Sequence, residues 1–111
     1  MTAGQFRRVR ARLDAACSRL MTNKNREYGQ RGDFLDNFNV AAKVLKVPPQ
    51  IVAGIYLYKH VKSLYHYLGG GRQSSGESVF SRIQDARNYL DFLYAILKEN
   101  QRPASKRRKD G

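Results

Sequence analysis

Residues 49–68 read PQIVAGIYLYKHVKSLYHYL, and this stretch decides the fold. Proline suits a helix start, because the first turn has no use for the N–H it lacks. From Ile51 to Tyr58 the side chains are apolar almost all round the helix. A helix of that kind is central in its bundle, because no face of it is suited to water. Gly69-Gly70-Gly71 stops it, and GGGRQSSG over 69–76 reads as a flexible loop.

Working outward, a second helix is predicted upstream, over about 33–46. Asp33 can accept a backbone N–H as its N-cap. Phe34, Phe38, Ala41, Ala42 and Leu45 then recur at helical spacing, and Val47-Pro48-Pro49 ends the run. Further upstream, Phe6, Val9, Leu13, Ala16 and Leu20 share one face of a helix over about 4–29. Gly29 is its predicted stop. Arg8, Arg12 and Arg19 lie on another face and form a basic stripe. Downstream, Ser74 to Glu77 has the pattern of a capping box. It predicts a fourth helix over about 75–99, whose seam is Val79, Ile83, Ala86, Leu90, Leu93 and Leu97. Residues 101–111, QRPASKRRKDG, carry no apolar periodicity and read as a disordered basic tail. No strand pattern competes with the helices. The expectation is an all-α bundle of four helices over 1–100, followed by the tail over 101–111.

The chain has 111 residues, which suits one domain and one core. Its 21 Lys and Arg against 9 Asp and Glu leave a net charge of +12. The excess is concentrated at the ends. Residues 1–31 hold eight basic side chains against two acidic ones, and residues 101–111 hold five against one. Charge of one sign on this scale favours polyanions such as nucleic acid and nucleotides. No apolar run approaches the roughly 20 residues of a membrane span, and MTAGQFRRVRAR lacks the apolar core of a signal peptide. Cys17 is the only cysteine, so an intrachain disulfide and a cysteine-rich zinc site are excluded. A cytoplasmic protein is expected.

No nucleophilic triad is legible. Cys17 adjoins the apolar seam of the first helix and reads as a structural thiol. The Gly-rich segment lacks the Lys-Ser/Thr of a phosphate-binding loop. The carboxylates are more informative. Glu77 and Asp85 fall eight residues apart on the fourth helix, roughly on one face, with Ser81 between them and Asn88 beyond. Two packed helices bring Asp36 towards them. An oxygen set of Asp36, Glu77 and Asp85 suits Mg²⁺, which in turn suits phosphates. Lys59, His60 and Lys62 sit within one turn of the third helix and form a candidate phosphate-binding group. The competing account is that Asp36 and Asp85 pair with Arg82, Arg87 or Lys43, and that His60 is a core histidine.

The chain also resembles a known family. Asn25, Tyr28, Gly29, Phe34, Asn37 and Phe38 carry one block of the pattern. Lys59, His60, Ser63 and Leu64 carry a second. Glu77, Ser78, Arg82, Ile83, Asp85, Asn88, Tyr89 and Leu90 carry a third. In that order they resemble small phage and bacterial proteins of the nucleotide-modification-associated class. Those are similar to the all-α, MazG-type nucleotide pyrophosphatases. The resemblance implies a helical, often oligomeric protein that binds a nucleotide through Mg²⁺, in a bacterial host's cytoplasm if phage-encoded. Glu77 and Asp85 would stand on the metal side, and Lys59 and His60 on the phosphate side. The paired acidic motifs of those enzymes, E-x-x-E and E-x-x-D, are missing here; only Asp33 and Asp36 stand at i, i+3. The resemblance therefore implies nucleotide binding more directly than hydrolysis, as in a degenerate pyrophosphatase.

Three functions follow as expectations. One is a nucleotide-handling bundle, with or without Mg²⁺-dependent hydrolysis of a triphosphate. Another is a non-enzymatic DNA or RNA binder, in which Arg8, Arg12 and Arg19 together with Arg107 and Arg108 of the tail track phosphates. The third is an inhibitor that docks on a nucleic-acid enzyme. A homo-oligomer is expected as well, because four short helices can hardly cover the third helix.

Overall fold

The computed structural model describes residues 1–28, 34–71 and 78–102, and the side chains of all of these except 23–28. Four helices account for nearly all of it: α1 (Ala3–Tyr28), α2 (Asp36–Leu45), α3 (Pro49–Leu68) and α4 (Val79–Gln101). The described residues contain no strand. The molecule is an all-α helical bundle, as the periodicity requires.

The helix ends follow backbone chemistry. Pro49 stands at the start of α3, after the extended Pro48. α2 stops at Lys46, whose left-handed backbone (φ 59°) lets its N–H reach the Ala42 carbonyl before the prolines are met. Gly69 closes α3, and Gly70 takes a φ of 91° that favours glycine. Ser78 caps α4; its Oγ accepts from the Ser81 N–H at 3.0 Å. The cap therefore lies four residues beyond the expected Ser74, and α4 runs 79–101 rather than 75–99. Ser74, Glu77, Asp33 and Gly29 lie outside the described residues, as does the tail from residue 103. α2 starts at Asp36, three residues later than Asp33, and its N-cap position, Leu35, supplies no side-chain bond.

α3 and α4 pair most extensively and run antiparallel: Asn100 bonds Gln50 near one end, and His60 meets Arg82 towards the other. α2 packs on α3, and α1 crosses α4. The core is Phe38, Ala42, Val52, Ala53 and Ile96, flanked by Tyr89, Phe92 and Leu93. It is small. Ile96 is the one large side chain fully enclosed among the described residues.

The thinness of the core corrects three expectations. On α1, Leu13, Ala16 and Leu20 are half-buried, but Phe6 and Val9 on the same seam are 55% and 47% exposed. That helix spans about 39 Å at 1.5 Å per residue, and its contacts with α4 gather around Asp14 and Cys17. Its first three turns reach past the bundle. On α2, Phe34 and Leu45 are exposed, while Phe38 and Ala42 carry the contact. On α4, the expected seam is core only in part: Ala86 is buried and Leu93 packs against the core. Asp85, Asn88 and Ile96 are buried with Ala86, whereas Leu90 and Leu97 of the seam are exposed.

No single helix among the described residues is long and apolar enough to cross a membrane. α2 and α3 pass that test only as a pair, and they meet at 104°.

Candidate functional site

The inner face of α4 steps through Asp85, Asn88, Tyr89, Phe92 and Ile96 at intervals of three, one, three and four, which is one helical stripe. Tyr89 is the centre of an aromatic group. Tyr56 and His60, one turn apart on α3, both lie nearly parallel to its ring, with centroids at 5.5 and 5.3 Å. Phe38 of α2 meets Tyr89 edge-on at 6.2 Å and Phe92 at 5.0 Å. Such pairs add about 0.5–1.5 kcal/mol each beyond their burial.

This group walls a cavity of about 460 Å³. Phe34, Phe38, Tyr56, Tyr89 and Phe92 form its apolar sides. Asp85, Asn88 and Asn37 supply polar groups, and Met21 of α1 closes one end. The volume and the lining of few polar groups among aromatics suit a small planar ligand.

Asp85 and Asn88 are both buried, which is rare for a carboxylate without a reason. The Asp85 carboxylate lies 3.8 Å from His60 Nδ1. The Arg82 guanidinium lies 3.4 Å from the same Nδ1. Asn88 Nδ2 donates to the Cys17 carbonyl at 3.1 Å, while its Oδ1 is buried without a protein partner. The Cys17 thiol donates to the Gln84 carbonyl, and burial pushes its pKa up, so it is a structural thiol. The Tyr89 phenol is held above its ordinary pKa, first by burial and then by the charge of Asp85 and by Tyr56.

The expected metal and phosphate groups are only partly brought together. Asp85 lines the cavity, but Asp36 does not; it sits in the first turn of α2, where a carboxylate complements the helix dipole. Among the described residues no group of three or more His, Cys, Asp or Glu side chains could hold a metal ion. Glu77 lies outside those residues. Of the three expected oxygen ligands, Asp85 is the one placed in the cavity wall. His60 turns inward, whereas Lys59 and Lys62 point to solvent, so the three do not form one phosphate group. Of the partners that the competing account gave Asp36 and Asp85, namely Arg82, Arg87 or Lys43, Arg87 bonds Asp14 of α1 instead, at 2.6 Å.

The expected basic stripe is accessible as far as it is described. Arg8, Arg12 and Arg19 are exposed, as are Arg7 and Arg10 beside them. Arg107 and Arg108 lie outside the described residues.

Sequence reasoning named Asp85, Asn88 and His60 but missed Tyr89, Phe92 and Asn37 as parts of a site. The signal was present: α4 carries two apolar stripes, and the aromatic one also holds the polar side chains. Compared with protein-family models, curated proteins and solved structures, the chain gives no match.

Proposed function

We propose that this chain is a nucleotide-binding helical protein whose aromatic cavity takes the base. The carrying observation is the buried Asp85 carboxylate in a cavity walled by Phe38, Tyr56, Tyr89 and Phe92. Aromatic walls accept the π-face of a base, and a carboxylate accepts its ring or exocyclic N–H groups. The family resemblance supports the same reading, with the degenerate, non-hydrolysing form favoured by the missing E-x-x-E and E-x-x-D motifs.

The test is calorimetry with nucleosides and with nucleoside mono- and triphosphates of each base, with and without Mg²⁺. We expect binding that persists without Mg²⁺ and that needs the base. Asp85→Asn keeps the side-chain size and removes the charge, so affinity falls tenfold or more, about 1.4 kcal/mol. Tyr56→Ala weakens the same ligand, since Tyr56 lines the cavity from a half-exposed position. No binding of any base-containing ligand, or full binding by Asp85→Asn, sinks the reading.

A second reading has its own observation. The first three turns of α1 reach past the bundle and expose Arg7, Arg8, Arg10 and Arg12. This arm suits the phosphates of DNA or RNA. The same arm also suits an inhibitor that fills a nucleic-acid channel.

A further inference from the structure

We infer that the cavity selects guanine among the bases, because α4 sets two buried hydrogen-bond acceptors one turn apart beside it, the Asp85 carboxylate and Asn88 Oδ1. This choice of base rests on the cavity being a base site at all. Asp85 and Asn88 stand at i and i+3 on one helical stripe, and both residues line the cavity. An ionised carboxylate accepts hydrogen bonds and cannot donate. Asn88 has donors, but its Nδ2 is committed to the Cys17 carbonyl at 3.1 Å. Turning the amide over would set oxygen against oxygen there, so its two ends are assigned by that bond. What is left is Oδ1, an acceptor buried without a protein partner.

The rest of the lining does not offset this acceptor pair. Among the described residues no Lys or Arg lines the cavity, so no cationic donor competes with a ligand for the carboxylate from within the wall. Asn37, the remaining amide, is an exposed residue of α2. The Tyr56 and Tyr89 hydroxyls can donate or accept and so demand neither of a ligand. The aromatic rings supply stacking, which tolerates any base because every base has a π-face. Discrimination therefore falls to Asp85 and Asn88. The volume of about 460 Å³ admits a purine.

A base seated against these acceptors must present neighbouring donors. Guanine does. Its ring N1–H and its exocyclic N2 amino group lie side by side, and a carboxylate accepts one N–H from each. The second N2–H is left over, and Asn88 Oδ1 is the acceptor one turn along the helix. Adenine sets a bare N1 beside its amino group, and cytosine sets a bare N3 beside its own. In both, a ring lone pair faces a carboxylate oxygen. Uracil and thymine flank their N3–H with two carbonyl oxygens. Each of these bases either repels an acceptor or leaves one buried and unpaired, and that cost is what rejects the wrong ligand.

Calorimetry of the full chain with the monophosphates of guanosine, inosine, adenosine, cytidine and uridine tests this, in buffer without Mg²⁺. Guanosine monophosphate should bind about tenfold or more tightly than inosine monophosphate, which differs only in lacking the N2 amino group. The other three should bind more weakly still. Asp85→Asn exchanges one acceptor for an amide N–H, which matches xanthine, whose N1–H lies beside the C2 carbonyl. The variant should lose guanosine monophosphate and gain xanthosine monophosphate, and a misfolded protein cannot show that gain. Equal affinity for the guanosine and inosine ligands, or preference for another base, overturns the assignment of guanine and leaves nucleotide binding standing. A guanine preference that Asp85→Asn leaves unchanged overturns it as well. Binding of no base-containing ligand removes the base site itself. If circular dichroism shows that Asp85→Asn does not fold, the guanosine-against-inosine comparison on the unaltered chain decides alone.

Discussion

At the residue scale, two acids of raised pKa, the buried Cys17 and the half-buried Tyr89, tie stability to alkaline pH. Cys17 and Tyr89 are both raised chiefly by burial. A group that holds its proton more tightly when folded contributes stability that is fully present below its unfolded pKa. That contribution is lost as pH rises through the folded value. The unfolded values are about 8.5 for a thiol and about 10 for a phenol. Melting temperature should therefore hold level up to about pH 8 and fall above it, in two overlapping stages. Cys17→Ala should remove the first stage and leave the second, at some cost for the lost packing. A melting temperature level from pH 7 to 11 would show that neither proton is coupled to folding. His60 also changes meaning at this scale. Its neighbours in sequence, Leu57, Val61 and Leu64, are half-buried, while the ring itself is buried beside Asp85 and Tyr89.

At the element scale, α1 is the weakly held helix. Its link to α4 is the Asn88 bond to the Cys17 carbonyl, the Cys17 thiol on Gln84, and the Arg87–Asp14 pair. The ion pair is half-exposed and contributes about 0–1 kcal/mol. The Asn88 bond is buried, and because the Cys17 carbonyl keeps its place in the α1 ladder, its loss costs about 0.5–1.5 kcal/mol. Asn88→Ala should therefore loosen α1 selectively. Hydrogen exchange should speed up along α1 while α3 and the inner turns of α4 keep their protection. Equal acceleration everywhere would mean that α1 unfolds only with the whole bundle.

For the whole molecule, the exposed arginines of α1 are the organising fact, and they stand apart from the cavity. Affinity for single-stranded or duplex DNA should fall steeply with salt. Replacing Arg7, Arg8, Arg10 and Arg12 with alanine should reduce the salt slope by two or more, with the melting temperature nearly unchanged because these side chains are exposed. An unchanged slope would exclude the arm from phosphate contact. Arginine replacement should leave calorimetric nucleotide binding intact, since none of these residues lines the cavity.

Helix type and number were legible in the residues, because local spacing, prolines and glycines act over a few residues. Pro49 to Leu68 needs nothing beyond its own neighbours to be a helix. The one large error in helix bounds, at the start of α4, came from several serines competing for one cap, and Ser78 won. What the sequence could not settle was which of α4's two stripes faces inward. Val79 to Leu97 is the more apolar stripe and reads as core. The interior instead takes Asp85, Asn88, Tyr89, Phe92 and Ile96, because these meet Phe38, Tyr56 and His60 across the chain. That choice rests on contacts between residues tens of positions apart, which no local pattern encodes. The same choice makes the cavity and leaves Leu90 and Leu97 exposed. Spacing could bring Asp36 and Asp85 together on paper, but packing placed Asp85 in the cavity wall and Asp36 at the foot of α2.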